Sequence, residues 1–376
     1  MKEAETFLSN HVVLAGAGHG HLQVLRSLQQ QPWPHTEVTL VTPSADSLYS
    51  GMLPGWMAGH YALDELRLRV GEMATHAGVN LVCDRIVRLD PTAQTITLAS
   101  GRRLAFDVLS LNVGADARSF GFDTNEEHIL HAGPSEAFVC GWEAVMLQSE
   151  ESGRARLAIV GAGAAGVEVA LAASYRLEKL LGNKASVAIS LMGCERLLPG
   201  HSPGVKLRAK KALARRDIQM VSGRATPLAP GLISAGGDPI AVDALILATG
   251  RQLPQWLTES GLALAEDGFL AVAPTLQSTS HPSILAAGDI ASRLQAPHAK
   301  SGVQAVRDGR LLSTNLPRML KNLPLFAETR RRHTLSLLAT GAREAIVSYG
   351  RIDAEGAWAW HWKNFIDRQF VAQCRK

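Results

Sequence analysis

Residues 12–28, VVLAGAGHGHLQVLRSL, and residues 157–172, LAIVGAGAAGVEVALA, decide the fold of this chain of 376 residues. Each stretch begins with four apolar residues, typical of a buried strand, and continues through closely spaced glycines into a helical pattern. Glycines at such a turn let the diphosphate of a dinucleotide approach the backbone and the N–H groups at the start of a helix. The two stretches therefore predict two dinucleotide-binding folds.

The glycine spacing differs between the two turns. The second turn has Gly161, Gly163 and Gly166 at the GxGxxG spacing, whereas the first has Gly16, Gly18 and Gly20, with His21 where the third glycine is expected. Taken alone, the first turn is also compatible with a tight strand-to-helix turn that binds nothing. The second turn makes a dinucleotide site the preferred interpretation of both.

Three later strands also end in glycine. Residues 109–114 read LSLNVG, residues 245–250 read LILATG, and residues 284–290 read ILAAGDI. In flavoproteins with two dinucleotide folds, the third of these strands returns to the first sheet, where Asp289 would accept hydrogen bonds from cofactor hydroxyls. The alternative is that Asp289 caps the following helix.

Composition excludes several classes of protein. No run of about 18 apolar residues predicts a membrane span, and residues 1–10 lack the pattern of a signal peptide. Cys83, Cys140, Cys194 and Cys374 lie far apart, which argues against a disulfide scaffold, a structural metal site and a redox disulfide. The net charge of +4 and the scattered basic residues argue against a nucleic-acid partner. We expect a cytoplasmic protein, either free or peripheral on the cytoplasmic membrane.

The order of these motifs resembles the pyridine nucleotide-disulfide oxidoreductase superfamily. The absence of a cysteine pair points to its type II NADH dehydrogenase and sulfide:quinone oxidoreductase branch. Four blocks are similar to a flavoprotein family often fused to selenide, water dikinase: residues 49–61 (YSGMLPGWMAGHY), 196–201 (RLLPGH), 300–316 (KSGVQAVRDGRLLSTNL) and 360–370 (WHWKNFIDRQF). No kinase-like segment accompanies them.

The resemblance implies an α/β protein with two Rossmann-like domains. Residues 1–150 and 270–325 would form a discontinuous FAD domain, residues 151–269 an inserted NAD(P)H domain, and residues 326–376 a small α+β unit. The residues expected to bind the two cofactors are Gly16, Gly18, His19, Gly20, His21, Thr42, Pro43, Gly51, Pro54, Gly114, Gly161, Gly163, Gly166, Gly250, Gly288, Asp289, Ser301 and Gly302.

Two residues are expected to be catalytic. In similar enzymes a glutamate at the position of Glu168 lies near the nicotinamide and the flavin; the alternative is an acid favoured by the helix dipole. Lys300 would stabilise the negative charge of a reduced flavin, and its alternative is an ordinary exposed lysine. For Gly51 and Pro54, a turn against a ligand and the start of a helix are equally good interpretations.

Both dinucleotide folds lack the acidic residue that usually binds the adenosine ribose. The strand at residues 38–41 runs into Thr42, Pro43 and Ser44, and the strand at residues 187–192 runs into Gly193 and Cys194. The choice between NADH and NADPH is therefore open, and so is a vestigial second site.

The expected function is that of an FAD-dependent NAD(P)H oxidoreductase. Hydride would pass from NAD(P)H to the flavin, and electrons would leave to a quinone or another small acceptor. The alternatives are a sulfur- or selenium-handling flavoenzyme and a flavin-binding redox sensor. The aromatic and basic segment at residues 358–370 fits a membrane surface, a helix packed on the FAD domain, or a homodimer interface.

Overall fold

The computed structural model describes residues 10–123, 126–183, 186–235, 237–295, 300, 302–328 and 333–375. In these ranges the helices are α1 (His19–Gln30), α2 (Leu53–Met57), α3 (Leu63–Leu66), α4 (Val70–His76), α5 (Glu136–Ser152), α6 (Ala164–Leu181), α7 (Pro203–Arg215), α8 (Gln255–Thr258), α9 (Gly302–Leu320) and α10 (Ala357–Cys374). The strands are β1 (Asn10–Ala15), β2 (Thr36–Thr42), β3 (Ser47–Leu48), β4 (Arg67–Leu68), β5 (Asn80–Cys83), β6 (Ile86–Asp90), β7 (Thr95–Leu98), β8 (Arg103–Ala105), β9 (Val108–Leu111), β10 (Asp116–Ala117), β11 (Ile129–His131), β12 (Ala155–Val160), β13 (Val187–Met192), β14 (Gln219–Val221), β15 (Ala225–Ala229), β16 (Leu232–Ala235), β17 (Pro239–Ala241), β18 (Ala244–Leu247), β19 (Arg251–Gln252), β20 (Leu270–Val272), β21 (Ile284–Ala286), β22 (Ala291–Arg293), β23 (Ser336–Ala339), β24 (Ala345–Tyr349) and β25 (Ile352–Gly356).

The first glycine turn belongs to a parallel sheet with the strand order β21-β9-β1-β2-β5. Residues 12–15 of β1 are completely buried, as expected for an apolar strand covered on both faces. Ile284 of β21 pairs with Leu109 of β9, so the predicted return of this late strand to the first sheet is confirmed.

The second glycine turn belongs to a second parallel sheet with the order β11-β18-β12-β13-β14. Between the sheets, β10 and β19 pair antiparallel. The predicted α/β class with two Rossmann-like sheets is confirmed, whereas the residue limits of the predicted units stay a prediction.

The C-terminal part combines the antiparallel sheet β23-β24-β25 with α10. The first two strands were predicted, but β25 was not, because its sequence IDAEG is polar and only half-buried. One face of α10 is buried through Trp360, Asp367 and Phe370, while another exposes large aromatic side chains. Among the helices in the described ranges, none has both the length and the apolar character needed to cross a membrane.

Candidate functional site

The first glycine turn lies between β1 and α1. Gly16 has a φ of +87°, and a Cβ there would overlap the backbone of Asn112 and Val113. The first turn of α1 contains no acidic residue, and within the described ranges the backbone N–H of His19 has no hydrogen-bond partner. A free N–H at the positive end of a helix suits an anion, so this turn fits the diphosphate of FAD.

Asn112, directly after β9, is a residue that the sequence analysis missed. Its Oδ1 accepts hydrogen bonds from the N–H groups of Gly20 (2.9 Å) and His21 (3.3 Å), and its Nδ2 donates to the carbonyl of Ala287 (2.8 Å). A Cβ on Gly18 would overlap this side chain, so Gly18 is needed for packing inside the protein. The sequence signal that could have identified Asn112 is its place as a polar residue directly after the apolar strand β9.

The His21 ring points into the first fold. Its Nδ1 lies 2.6 Å from the carbonyl oxygen of Gly16 and its Nε2 lies 2.8 Å from Oγ of Ser110. Because the carbonyl can only accept, Nδ1 donates to Gly16 and Nε2 accepts from the Ser110 hydroxyl. Burial lowers the pKa of His21 to about 4, against the opposing effect of the Gly16 hydrogen bond. The ring is therefore a neutral part of the core, and the predicted contact of His21 with the cofactor stays a prediction that this placement does not favour.

The second glycine turn combines two packing glycines with one open position. A Cβ on Gly166 would overlap the carbonyl of Gly161, which itself has a φ of +114°. By contrast, no atom of the described residues, the two chain neighbours aside, lies within 4 Å of a Cβ placed on Gly163, the N-cap residue of α6. The first turn of α6 has no acidic residue. An open, uncharged helix start fits the diphosphate of NAD(P)H.

Among the described residues, neither β2 nor β13 ends in a carboxylate. Thr42 is buried at the end of β2, followed by exposed Pro43, and Met192 is completely buried at the end of β13. Glu195, three residues after Met192, accepts a hydrogen bond from the N–H of Gly223 at 3.1 Å. The weak ribose contacts expected from the sequence stay a prediction, and the strand ends are compatible with it.

Asp289, His19 and Gly302 lie close together, as their predicted roles require. Gly288 has a φ of +73°, and the partly exposed carboxylate of Asp289 lies 3.9 Å from Nε of Arg251. Burial lowers the pKa of His19, and the negative charge of Asp289 opposes this shift. A Cβ on Gly302 would lie 3.8 Å from the His19 ring. Ser301, also predicted here, lies outside the described residues.

The Lys300 ammonium group makes its contacts within the protein. Its Nζ donates to the carbonyl of Ala291 at 2.8 Å and lies 3.6 Å from the centre of the Phe269 ring. Burial lowers the pKa of Lys300, while Asp267, Asp289 and Asp308 oppose the shift. These contacts neither require nor exclude the predicted role of Lys300 beside a reduced flavin, which stays a prediction.

Gly114 and Gly250 lie beyond the ends of β9 and β18. In the part of the chain that the structure describes, no atom beyond the adjacent residues lies within 4 Å of a Cβ built on either glycine, and Gly114 has a φ of +78°. Nη1 of Arg251 donates to the carbonyl of Ala115 at 3.1 Å, so the two strand ends are joined by a hydrogen bond. Both glycines leave room for a ligand between the sheets.

A second lysine lies where three parts of the chain meet. Nζ of Lys363, on α10, donates to the carbonyl of Gly51 (2.6 Å) and to Oδ2 of Asp367 (2.7 Å). Oδ1 of Asp367 accepts from the hydroxyl of Tyr49 (3.1 Å). Glu168, on α6, acts electrostatically on the same ammonium group. We call Tyr49, Gly51, Glu168, Lys363 and Asp367 the junction cluster.

The charges of the junction cluster depend on one another. Burial alone would lower the pKa of Lys363, but Asp367 and Glu168 together hold it above its ordinary value. Burial raises the pKa of Glu168, and the positive charge of Lys363 only partly offsets that effect. Burial and Asp367 also raise the pKa of Tyr49, which therefore remains a hydrogen-bond donor. The cluster thus holds a protonated lysine beside a carboxyl group that binds a proton more readily than usual.

The segment at residues 49–61 begins a helix, and its glycines serve packing. Pro54 stands in the first turn of α2, which confirms the helix-start interpretation. A Cβ on Gly51 would come within 2.7 Å of the Tyr49 ring, and one on Gly55 would overlap the Tyr61 ring. The interpretation of Gly51 as a turn against a ligand is therefore not needed to explain this glycine.

Glu168 is the fifth residue of α6, beyond its first turn, so the helix-dipole alternative is weakened. Its Oε1 accepts from the N–H of Ala339 at 2.8 Å. The sequence signal for the rest of the cluster was the Lys363 and Asp367 pair, four residues apart on one helix face.

The four cysteines are free thiols in different surroundings. Cys83 and Cys140 are exposed, whereas burial raises the pKa of both Cys194 and Cys374 to about 11. A thiol with such a pKa is protonated at neutral pH and is a poor nucleophile. This supports the interpretation of the cysteines as scattered thiols without a role in carrying sulfur.

A family model described as pyridine nucleotide-disulphide oxidoreductase matches residues 10–309. The alternative NAD(P)H-ubiquinone oxidoreductase C1 of Arabidopsis thaliana is 26% identical over 329 residues, which cover 75% of this chain and 61% of the plant protein. The type II NADH:quinone oxidoreductase NdhA of Mycobacterium tuberculosis is 22% identical over 393 residues, covering 93% of this chain and 81% of that protein.

Solved structures share the fold over nearly the whole chain. The sulfide:quinone oxidoreductase of Aquifex aeolicus superposes with a TM-score of 0.82 at 16% identity, covering 97% of this chain and 91% of that one. NDH2 of Plasmodium falciparum in complex with NADH gives a TM-score of 0.78 at 14% identity, covering 97% and 98%.

Proposed function

Because this chain belongs to the pyridine nucleotide-disulphide oxidoreductase family, we propose that it is an FAD-dependent enzyme that oxidises NAD(P)H and reduces a quinone or another small acceptor. The family, the oxidoreductase class and the α/β fold agree with the sequence predictions and are confirmed. FAD and NAD(P)H are typical cofactors of such homologues. In this proposal no redox disulfide takes part.

The residues proposed to hold the cofactors follow from the two turns. Gly16, the N–H of His19 and Asp289 would hold FAD, and Gly161 with Gly163 would admit NAD(P)H. Bound FAD supplies the two-electron chemistry, while the protein supplies orientation and charge. The units at residues 1–150 with 270–325, 151–269 and 326–376 are retained as part of this proposal, supported by the pairing of β21 with β9.

The junction cluster is the observation that carries the proposal. The segment with Gly51 follows the second strand of the first fold, and Glu168 follows the glycine turn of the second fold. From the resemblance, Glu168 is expected near the nicotinamide and the flavin, and Gly51 was open to interpretation as a turn against a ligand. Lys363 donates to the Gly51 carbonyl and acts electrostatically on Glu168. Their convergence supports a single reaction centre between the two folds.

We assign Lys363 the electrostatic role that the sequence analysis gave to Lys300. Its ammonium group is kept charged by Asp367 and Glu168 and points at the carbonyl of Gly51. A fixed positive charge in a water-poor site stabilises negative charge that develops when electrons arrive. Glu168, with its raised pKa, is suited to hold and deliver a proton to the acceptor.

NAD(P)H is favoured over sulfide as the electron donor, and a quinone is favoured as the acceptor. Two relatives carry quinone or ubiquinone in their names, and the thiols of Cys194 and Cys374, with pKa values raised to about 11, are protonated at neutral pH. The outer face of α10 exposes Trp358, Trp362 and Phe365 with Arg368 nearby. Aromatic and basic side chains suit a membrane interface, so we include peripheral membrane contact in the proposal.

The first experiment uses the purified protein loaded with FAD. Anaerobic mixing with NADH, NADPH or sulfide, followed by flavin absorbance at 450 nm, identifies the electron donor. Bleaching by NADH or NADPH and turnover with a water-soluble ubiquinone analogue are expected. A protein that binds no FAD, or one that only sulfide bleaches, would contradict the proposal, while bleaching without turnover would favour a redox sensor.

The second experiment compares two lysines. Lys363→Met removes the charge of the junction cluster and is expected to lower kcat with the quinone analogue by about 10-fold or more, whereas Lys300→Met should change it less than about 3-fold. Because Lys363→Met leaves Asp367 without its cation, Lys363→Met/Asp367→Leu serves as the folding control. Equal effects of the two lysine substitutions on kcat would contradict the electrostatic role assigned to Lys363.

A further inference from the structure

We propose that Asn112 is a positioning residue that fixes the separation of the two turns holding the two halves of FAD. The inference rests on the proposed function only in taking FAD as the ligand. Asn112 follows β9, and β9 lies between β1 and β21 in the first sheet. The strand before the glycine turn and the strand before Asp289 therefore flank this residue on either side.

On one side, Asn112 holds the glycine turn. Its side-chain oxygen accepts the N–H groups of Gly20 at 2.9 Å and His21 at 3.3 Å, while its backbone carbonyl accepts the N–H of Gly18 at 3.2 Å. Because two of the first N–H groups of α1 are occupied in this way, the orientation of the helix start depends on this one amide.

On the other side, Asn112 holds the turn that presents Asp289. Its Nδ2 donates to the carbonyl of Ala287 at 2.8 Å, and a Cβ on Gly288 would come within 2.6 Å of the same nitrogen. The N–H of Gly288 is fixed from a second direction by Oδ2 of Asp308 at 3.1 Å. The Asp289 turn is therefore clamped between two buried side chains.

The chemistry at this position requires an amide. One end must accept from N–H groups and the other must donate to a carbonyl, and the side chain is only 3% exposed. An aspartate of the same shape would place an acceptor against the carbonyl of Ala287 and a negative charge beside the diphosphate position. A leucine would leave three buried polar groups without partners.

A fixed spacing matters for a ligand that spans both turns. In the proposed site the ADP half of FAD would contact the glycine turn and the flavin half would contact the Asp289 turn, so binding of one half would raise the effective concentration of the other. Loosening the spacing lowers this gain without removing either contact. Loss of Asn112 therefore weakens binding of whole FAD more than binding of ADP.

The experiment measures the dissociation constants of FAD and ADP for the apoprotein by calorimetry. For Asn112→Ala we expect the FAD constant to rise about 10-fold or more and the ADP constant to change less than about 3-fold. Ser110→Ala is the matched control, because Ser110 is buried two residues earlier and bonds the His21 ring but not the Asp289 turn. It should change both constants by the same factor.

Asn112→Ser, which keeps a small polar group, is a second variant for the case that the alanine variant does not fold. Its FAD dissociation constant should also rise more than its ADP constant. Equal loss of FAD and ADP affinity, or no loss of either, would overturn the inference. If the unsubstituted protein binds FAD more tightly than ADP but shows no turnover with NAD(P)H, the proposed function fails and the role of Asn112 stands. If it binds no FAD, both fail.

Discussion

His21 stands where a dinucleotide-binding turn usually has its third glycine. In this protein the ring fills space inside the fold and ties the Gly16 carbonyl to the Ser110 hydroxyl. A neutral imidazole can donate at one nitrogen and accept at the other, so both partners are satisfied without burying a charge. His21 therefore replaces the expected third glycine without leaving a buried polar group unpaired.

This burial predicts a pH dependence of stability. The pKa of His21 is about 4 in the folded protein and about 6.5 in the unfolded chain, so the unfolded state binds more protons between these values. The contribution of neutral His21 to the stability of the protein is present above pH 6.5 and is lost as the pH falls toward 4. Between pH 7.5 and 4.5 this residue should lower the free energy of unfolding by about 2–3 kcal/mol.

Urea unfolding at the two pH values checks the prediction. Since protonation of paired carboxylates also destabilises the protein in acid, the relevant quantity is the difference between the unsubstituted chain and His21→Gln. The variant should be less stable at pH 7.5 but should lose less stability on acidification. Identical losses in both proteins would contradict the buried neutral ring.

Among single residues, the sequence revealed the turn glycines but did not decide which lysine faces the proposed reaction centre. Lys300 and Lys363 both occur in distinctive blocks, and nothing in either block says where its side chain points. Lys300 is drawn toward the Ala291 carbonyl and the Phe269 ring, whereas Lys363 is held by Asp367. The contact that favours Lys363 is its hydrogen bond to the Gly51 carbonyl, 312 positions away in the sequence.

Among the elements, α10 has two faces with different surroundings. Phe370 stacks on Tyr49 with ring centres 4.8 Å apart, and Asn364 accepts from the hydroxyl of Tyr61 at 2.9 Å. The interpretation of a helix packed on the first unit therefore holds for this face. Trp358 and Phe365, which are 54% and 63% exposed, belong to the other face.

The exposed face of α10 predicts binding to lipid. The double substitution Trp362→Glu/Phe365→Glu should abolish flotation of the protein with vesicles containing anionic lipid, because it replaces apolar contact area with negative charge. FAD binding should be unchanged, since both side chains point away from the junction cluster. Leu207→Glu, at a position 55% exposed on α7, is the control and should leave flotation intact.

Two results would contradict membrane contact. One is an unsubstituted protein that does not float with the vesicles. The other is an unsubstituted protein that is a dimer in solution and becomes monomeric in the double variant, which would identify the face as an interface between two copies.

For the whole molecule, the proposed FAD site is assembled from the first and the last strand, in sequence order, of the first sheet. Gly16 and Asp289 are brought together by β1, β9 and β21. Unfolding separates them, so FAD binds the folded state and not the unfolded chain.

Saturation with FAD should consequently stabilise the entire protein. At a free concentration of about 100 times Kd, the free energy of unfolding should rise by about 2.7 kcal/mol. The measurement is the midpoint of thermal unfolding of the apoprotein with increasing FAD, with riboflavin, which lacks the diphosphate, as the comparison. A midpoint that FAD leaves unchanged would contradict this prediction.

The amino-acid sequence determined the two parallel sheets, their glycine turns and the lack of a cysteine pair. These features follow from local patterns. The patterns are apolar runs of strand length, glycines where φ must be positive or where two backbone segments approach each other, and the number and spacing of the cysteines. The return of β21 to the first sheet was also predicted, because the motif order matches that of a known superfamily.

Only the tertiary structure decided what fills the space around those turns. That Asn112 closes on Gly18 and Gly288, that His21 turns inward, and that Lys363 joins Gly51 to Asp367 depend on pairs of residues up to several hundred positions apart. Local patterns carry no information on such pairs, because hydrogen bonds and burial are set by which strands and helices become neighbours after folding.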